Sequence, residues 1–352
     1  MLWVDKYAPK TLKDLDLNDN LTDRLKSLAY SEDLPHLLVY GPSGAGKKTR
    51  VSAVLHALYG NSARNVKLES RTFAATASRK VEFTLIVGPH HFELTPSDLG
   101  PNNDRIIIQE LIKELAQSNQ VTKSAHRFRV VVINEADTLS RDAQAALRRT
   151  MEKYTTSLRL VLVAQSTSNI IEPIKSRTLQ IRVPAPDYES ITRVLNRVAQ
   201  EERISPVPLP EELLAKIFAQ SGRNLRRALL SLEAAVSVLP GDQQIVVSNS
   251  TTVPPADWRE VITEIAQMII KVQSASQLLA IRGKYYDLIA HCIPPRIIIK
   301  TLLTELLTRV SSSKKPSIVT AAALYDHRIQ IGNKSIFHLE AFTAKVMNVL
   351  EH

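Results

Sequence analysis

The residues best suited to chemistry lie in one glycine-rich run near the N-terminus, Gly41-Pro42-Ser43-Gly44-Ala45-Gly46-Lys47. Glycines at this spacing allow consecutive backbone N–H groups to point into one cavity, and a following helix adds partial positive charge at its N-terminus. The lysine would then reach the outer phosphates of a bound nucleotide. Because an apolar run precedes these residues and a helical run follows them, the pattern predicts a phosphate-binding site rather than an accidental turn.

The position after Lys47 departs from the usual pattern of such loops. A Ser or Thr normally supplies a hydroxyl ligand to Mg²⁺ there, but this sequence has Lys48. Thr49 follows, but one helical step rotates a side chain by about 100°, so we do not expect it to substitute. At about 4 Å and an effective dielectric constant of about 20, two like charges repel by about 4 kcal/mol. Lys48 should therefore oppose a nearby Mg²⁺ ion.

A second group of chemical residues follows the apolar run 128–133. In phosphate-loop folds the tip of such a strand carries an Asp that helps to hold Mg²⁺ and then a Glu that activates water. This sequence has Asn134 at the tip and retains only Glu135, as a vestigial base. We therefore predict a site that holds ATP or ADP, for which Mg²⁺ is doubtful, and that hydrolyses ATP poorly. The alternative is that waters and phosphate oxygens hold the ion, which is common for Mg²⁺.

The elements that must position these residues alternate along the first half of the chain. Apolar or alternating runs predict strands at 37–40, 65–71, 81–87, 128–133, 158–164 and 179–183. Helical spacing between them predicts helices around 21–28 and at 105–116, 141–154 and 170–175. Strands that alternate with helices indicate an α/β fold with a doubly wound parallel sheet.

The pattern changes after the last of these strands. Amphipathic helices are expected at 188–201, 210–220 and 223–238, then a Gly- and Pro-containing linker, and roughly four or five further helices to the C-terminus. The predicted organisation is an α/β nucleotide-binding domain (1–183), an all-α domain (184–239), a linker (240–255) and a second all-α domain (256–352). The last domain has no catalytic residues in a recognisable pattern, so we expect it to serve association.

The net charge, the cysteine count and the lack of long apolar runs limit the classes of protein to which this chain can belong. The net charge is +10 and the sequence pI is about 9.6, which favours a polyanionic partner, although a generally basic surface without a partner stays open. One cysteine, Cys292, excludes an internal disulfide framework. The N-terminus has Asp5, Lys6 and Pro9 where a signal peptide needs an apolar core, and no run approaches the length of a membrane span. We expect a soluble cytosolic or nuclear protein without a membrane partner.

Several motifs, taken in order, resemble those of an AAA+ clamp-loader small subunit of the replication factor C family. They are Trp3-Val4-Asp5-Lys6-Tyr7-x-Pro9, the phosphate loop, Asn134-Glu135-Ala136-Asp137, Leu147-Arg148-Arg149-x-Met151-Glu152, Ser176-Arg177 and Gly222-x-x-Leu225-Arg226-Arg227-Ala228. The resemblance covers essentially the whole chain and implies an AAA+ domain, an all-α lid and an all-α C-terminal collar. The paired Lys47 and Lys48 resemble the member with a degenerate phosphate loop at one end of a pentamer. The aromatic residues of 3–9 are expected to pack against the nucleotide domain.

The resemblance also implies roles for single residues. Arg177 would act in trans as an arginine finger on the ATP of the adjacent subunit, since a fixed, always charged fork stabilises charge on a transferring phosphoryl group. From the sequence alone, a local ion pair would be the simpler reading of Arg177. Arg226 matches the lid arginine that reaches the nucleotide in cis, and Gln165 stands where the family's first sensor is usually Asn. Thr178 replaces the Cys that usually follows the finger, which should matter little.

The resemblance implies a nuclear hetero-pentamer that uses ATP to open a sliding clamp and place it on primer–template DNA. Other replication factor C subunits would bind through 256–352. Basic side chains would contact the DNA backbone without reading its sequence. Arg105, at a predicted helix start, is the best candidate, followed by Lys80, Arg148 and Arg149, although each could equally lie on a solvated face and the last two could couple subunits.

Two other functions stay open at this stage. A self-sufficient ATPase or small-molecule kinase would need a metal ligand that Lys48 and Asn134 do not provide, and it leaves 256–352 without a purpose. A pure scaffold that binds no nucleotide is opposed by the intact run from Gly41 to Lys47.

Overall fold

The computed structural model describes residues 1–15, 17–31, 34–76, 79–96, 104–105, 108–109, 114, 128–238, 246–249, 251–332 and 334–351, with backbone only at 73–76 and 79–81. The chain divides into two compact units, Met1–Val253 and Pro254–His352. Each unit contains its own apolar core. The division falls near the end of the predicted linker, 240–255.

The described residues of the first unit form one sheet of seven strands: β1 (Leu37–Tyr40), β2 (Lys67–Thr76), β3 (Arg79–Val87), β4 (His91–Leu94), β5 (Arg129–Ile133), β6 (Leu158–Ala164) and β7 (Leu179–Arg182). Their order across the sheet is β2-β3-β4-β5-β6-β1-β7. The strands from β4 to β7 in this order pair in parallel, whereas β2 and β3 form an antiparallel hairpin at one edge. The prediction of a mainly parallel α/β sheet is confirmed.

Helices cover both faces of the sheet. The first unit has α2 (Asp19–Tyr30), α3 (Lys47–Tyr59), α4 (Arg141–Lys153) and α5 (Glu172–Lys175) around it, whereas the short helix α1 (Trp3–Lys6) packs on the helices that follow the sheet. Alternate residues of a strand point to opposite faces, so Val131 packs with Leu147 of α4 while Val130 and Val132 pack on the side of α3. Burial on both faces explains why the central strands are continuously apolar. The predicted helix 105–116 is helical at 104–105, 108–109 and 114, and its other residues lie outside the described part.

Three amphipathic helices follow the sheet, α6 (Tyr188–Glu201), α7 (Glu211–Ser221) and α8 (Leu225–Ser237). Side-chain hydrogen bonds cap the N-termini of two of these helices. Asp187 accepts a hydrogen bond from the Ser190 N–H, and Asn224 accepts one from the Arg227 N–H. Their apolar faces form a core that is separate from the two sheet cores. These helices match the predicted lid region.

The second unit is all-α, as predicted. Its described residues form five helices, α9 (Asp257–Lys271), α10 (Ala275–Ala290), α11 (Pro295–Arg309), α12 (Lys315–Ile331) and α13 (Ser335–Glu351). Tyr285 is fully buried in their core, where its hydroxyl lies 2.7 Å from Oγ1 of Thr343. Across the described chain, helices that combine enough length and apolar character to span a membrane are absent.

Candidate nucleotide-binding site

The glycine-rich run forms the loop between β1 and α3. Gly41, Gly44 and Gly46 have positive φ angles of 154°, 72° and 83°, which side chains rarely tolerate. Gly46 caps the N-terminus of α3, whose first turn carries Lys47, Lys48 and Thr49. The predicted arrangement of strand, phosphate loop and helix is therefore present.

Gly41 is the tightest point of this loop. A Cβ atom at Gly41 would lie 2.0 Å from the backbone carbonyl oxygen of Val183 at the end of β7. A backbone atom cannot turn aside as a flexible side chain can. Only glycine allows the loop to leave β1 this close to the neighbouring strand.

Replacing Gly41 by alanine should therefore lower the free energy of unfolding by about 1–3 kcal/mol, because the new methyl group forces the backbone apart. Gly60→Ala is the matched control, since Gly60 also has a positive φ but has no atom near a new Cβ. Urea unfolding of both variants separates the steric contact from the cost of positive φ. If both variants lost the same free energy of unfolding, the close approach of Gly41 to the Val183 carbonyl oxygen would not explain the need for glycine.

The side chain of Lys47 lies inside the loop. Its Nζ donates to the carbonyl oxygens of Gly41 at 2.6 Å and Pro42 at 2.8 Å. Burial lowers the pKa of Lys47, the Asp137 carboxylate opposes this shift, and the positive charge of Arg226 adds to it. The structure thus brings Lys47 and the predicted lid arginine Arg226 within electrostatic range of each other.

A cleft opens beside the loop. Four parts of the first unit line it: the glycine-rich loop with α3, the N-terminal segment, α6, and the first turns of α8. The lining residues include Gly44, Gly46, Thr49, Val4, Tyr7, Pro9, Leu225, Arg226 and Leu229. A mostly apolar lining with a few polar and basic groups suits a flat organic ring joined to an anionic group.

The N-terminal segment is held by the lid helices. The Tyr7 hydroxyl donates to Oε1 of Glu202 at 2.6 Å, and the Lys6 ammonium lies 2.7 Å from the same oxygen. The Trp3 backbone N–H donates to Glu233 at 3.2 Å. Trp3, Val4 and Tyr7 pack on the apolar core of the lid. The expectation that these aromatic residues pack against the nucleotide domain is therefore wrong, because the lid offers both the apolar face and the two carboxylates.

Asn134 and a glutamate that the sequence analysis missed lie at the ends of two adjacent strands. Glu93 of β4 is partly buried and pairs in register with Val132 of β5, and Asn134 follows that strand directly. Burial raises the pKa of Glu93, while the charge of Lys48 and a hydrogen bond with Asn134 oppose the rise. Lys48 itself is exposed. This corner therefore combines one lysine, one amide and one carboxylate.

The predicted vestigial base, Glu135, follows Asn134 directly after β5. Its backbone is left-handed, with φ of 51° and ψ of 43°, and its side chain is exposed. Left-handed backbone is uncommon for residues other than glycine and is often found at functional sites. Asp137, which was not predicted, accepts hydrogen bonds from the backbone N–H groups of Gln165 at 3.1 Å and Ser166 at 3.4 Å. Asp137 thus fixes the loop that carries the predicted sensor Gln165, whose side chain is exposed.

Gln144 of α4 is a further residue that sequence reasoning missed. It is 1% exposed, and its amide nitrogen donates to the carbonyl oxygens of Leu139 at 3.0 Å and Asn169 at 2.9 Å. Its amide oxygen accepts from the Ile171 N–H at 2.9 Å. Ile171 caps the short helix α5, so this amide links α4 to the helix that precedes Arg177.

Replacing Gln144 by alanine should destabilise the chain by about 3 kcal/mol, because three backbone groups lose their partner in a buried place. Gln200→Ala, at an exposed position of α6, is the control and should change the stability by less than about 0.5 kcal/mol. Both values can be read from urea unfolding curves. A loss for Gln144→Ala no larger than that of the control would contradict the proposed link.

Arg177 lies at the surface after α5, with its side chain 35% exposed. Its guanidinium donates to the Pro173 carbonyl at 2.9 Å and lies 2.7 Å from Oε1 of Glu152. Arg148 reaches the same carboxylate oxygen at 3.3 Å. The local ion pair that the sequence left open is therefore present, and being exposed it is weak enough to be exchanged for another anion.

Besides Arg148, three residues were predicted to bind DNA, and the described side chains among them are exposed. Arg105 is exposed and lies 3.8 Å from Asp142. Arg149 is exposed on α4 and makes no ion pair with any residue that the structure describes. Lys80 lies on β3, and its side chain is outside the described part.

Comparison with protein families gives three matches along the chain. The family described as DNA polymerase III, delta subunit, matches residues 17–187. The RCF1/5-like AAA+ ATPase lid domain matches residues 193–237, and the C-terminal domain of replication factor C subunit 3 matches residues 258–352.

Curated proteins are similar over almost the whole chain. Replication factor C subunit 5 of Schizosaccharomyces pombe is 49% identical over 99% of this chain and 96% of its own length. The protein of the same name from Neurospora crassa is 50% identical over 99% of this chain and 97% of its own length. Human replication factor C subunit 3 is 45% identical over 98% of this chain and 95% of its own length. Among solved structures, RuvB of Thermotoga maritima is similar with a TM-score of 0.50 and 14% identity over 79% of this chain and 85% of that one, which concerns the fold alone.

Proposed function

This chain belongs to the replication factor C subunit family, a clamp-loader family, and from that premise we propose how its own site is used. The chain is a subunit of a nuclear hetero-pentamer that opens a sliding clamp and places it on primer–template DNA. Its own site holds ATP or ADP and hydrolyses ATP poorly. Arg177 serves the ATP of the neighbouring subunit. The corner formed by Lys48, Glu93 and Asn134 is the observation that carries the proposal of poor hydrolysis.

Nucleotide binding is supported by the fit between the cleft and the loop. Backbone N–H groups of Gly44 to Lys47 surround the N-terminus of α3, where an anionic group is stabilised. Arg226 lines the cleft, and Lys47 lies within electrostatic range of it, so both add positive charge near the loop. The apolar residues contributed by the N-terminal segment and α8 suit a nucleobase. The residues present therefore fit a nucleoside di- or triphosphate.

The same residues do not fit Mg²⁺. The ion prefers oxygen ligands in octahedral geometry, but an ammonium group stands at the hydroxyl position and an amide at the carboxylate position. Poor hydrolysis follows, because the groups at these two positions are not suited to holding the metal ion.

The role in assembly is supported by surface features of both units. Exposed apolar residues of the second unit include Leu279, Tyr286, Ile297, Leu324 and Phe337, which suit burial against other subunits. Arg105 and Arg149 are exposed and suit contacts with a phosphate backbone, as proposed for DNA.

The isolated chain provides the test of this site. We expect nucleotide to be released when the purified chain is denatured, and we expect ATP turnover near background with Mg²⁺ present. Chromatography of the released nucleotide and a phosphate-release assay measure the two quantities. Brisk Mg²⁺-dependent turnover would favour a self-sufficient ATPase or kinase, and failure to bind any added nucleotide would favour a pure scaffold.

A further inference from the structure

Three side chains from three different elements meet at the corner of the candidate site that normally holds a metal ion. Lys48 comes from the first turn of α3, Glu93 from β4, and Asn134 from the end of β5. The sheet brings the last two together, since the Asn134 N–H donates to the Leu94 carbonyl oxygen at 2.9 Å. Lys48 makes no ion pair within the described part of the chain, so its ammonium group is available.

The buried amide of Asn134 supplies an unused acceptor. Asn134 is only 2% exposed, and its side chain forms a hydrogen bond with Glu93. Its Oδ1 atom is buried and has no hydrogen-bond partner among the described residues. A buried acceptor without a donor is costly, by about 1–3 kcal/mol. A donor placed at this atom would remove that cost.

Glu93 supplies a negative charge that needs a cation. The carboxylate is partly buried, which disfavours its charged form and raises its pKa, and Lys48 is the first group that opposes this rise. The ammonium of a lysine is a compact charge with three donors on a flexible stem. Glu93, Oδ1 of Asn134 and a phosphate oxygen provide three matching acceptors.

We propose that the ε-ammonium of Lys48 is the permanent counter-cation of this site and takes the place of Mg²⁺ against the phosphates. The inference rests on the proposed function, because it assumes that the cleft holds a nucleotide. The ligand is accordingly a metal-free nucleoside di- or triphosphate. Glu93 and Asn134 hold the ammonium in position, and nucleotide binding does not depend on a divalent metal ion.

The test is fluorescence titration of the full chain with an N-methylanthraniloyl derivative of ADP, in excess EDTA and in excess Mg²⁺. For the unchanged chain we expect dissociation constants that agree within about twofold in the two conditions. Lys48→Thr should weaken binding in EDTA by about tenfold or more, since a charge-assisted hydrogen bond is lost, and Mg²⁺ should restore much of it. Lys48→Met should weaken binding equally in both conditions, because it supplies neither a charge nor a metal ligand.

Two controls keep the outcomes distinct. Lys67→Met removes an exposed lysine at the start of β2 and should leave both constants unchanged. Electron paramagnetic resonance with Mn²⁺ and ADP should detect protein-bound metal with Lys48→Thr and not with the unchanged chain. Circular dichroism checks that the variants are folded, which is expected because Lys48 is exposed.

The result that would overturn the inference is a large gain in affinity of the unchanged chain on addition of Mg²⁺, or Mn²⁺ bound by the unchanged chain with ADP. Binding by Lys48→Thr that is as tight in EDTA as that of the unchanged chain would also overturn it. In these cases nucleotide still binds, so the nucleotide-binding part of the proposed function stands, and the phosphate-release assay decides the part that concerns hydrolysis. If the unchanged chain binds no nucleotide in either condition, both proposals fail together.

Discussion

Replacing Arg177 by alanine should lower ATP hydrolysis at the neighbouring site of the assembled complex by about 10³-fold or more, the usual contribution of an arginine finger. The guanidinium is already exposed, and its partner Glu152 holds it by an ion pair on the surface. Such a pair contributes at most about 1 kcal/mol, so a phosphate of another subunit can replace the carboxylate. Steady-state ATP hydrolysis by the complex reconstituted with the variant is the measurement.

The controls separate catalysis from assembly. Arg177→Lys keeps the charge but loses the rigid fork, so it should recover only part of the activity. Nucleotide affinity of the variant chain by itself should stay unchanged, because its own loop is not altered. Normal ATP hydrolysis by a complex that contains Arg177→Ala would exclude the role in trans and leave the local ion pair with Glu152 as the function of this residue.

Replacing Lys47 by methionine should weaken nucleotide binding by the chain about 10- to 100-fold. Nζ of Lys47 now donates to the carbonyl oxygens of Gly41 and Pro42, within the cradle that would hold the phosphates. A hydrogen bond from a charged donor contributes about 1.5–3 kcal/mol, which corresponds to this range. Methionine keeps an unbranched stem of similar length, so packing at the N-terminus of α3 changes little. The measurement is again titration with the fluorescent ADP derivative.

Lys67→Met serves as the control for removal of a lysine charge from this basic chain. It should leave the dissociation constant within about twofold, because long-range attraction between exposed charges is screened at physiological salt. An unchanged dissociation constant for Lys47→Met would mean that the glycine-rich loop is not the phosphate site. The cleft lined by Tyr7 and Arg226 would then need another ligand.

Local structure was predictable wherever the residues themselves restrict the backbone. Glycines at 41, 44 and 46 followed by lysines allow one kind of turn, and the observed positive φ angles agree with it. Continuous apolar runs predicted the central strands, and helical periodicity predicted the helices of the lid and of the C-terminal unit. The largest difference in bounds is the hairpin, since β2 extends to Thr76, beyond the predicted end at 71.

The contributions of Glu93 and Gln144 were not predictable from local patterns. The strand β4 has four residues, too few to show a period, and only its pairing with β5 places Glu93 beside Asn134. Gln144 looks like any polar residue of an amphipathic helix until the loops around Leu139 and Asn169 close over it. Both depend on contacts between residues far apart in sequence, which local propensity does not contain.

The sequence by itself determined the residue types on which the proposed chemistry rests: the glycine-rich loop, the lysine that follows Lys47, and the amide at the end of β5. These follow from residue types at fixed short spacings, because a few consecutive dihedral angles set the directions of neighbouring groups. The tertiary structure alone decided which distant groups face that loop, including Arg226 of the lid and Glu93 of β4. Strand order and helix packing bring those charges together, and burial then makes their interactions strong enough to matter.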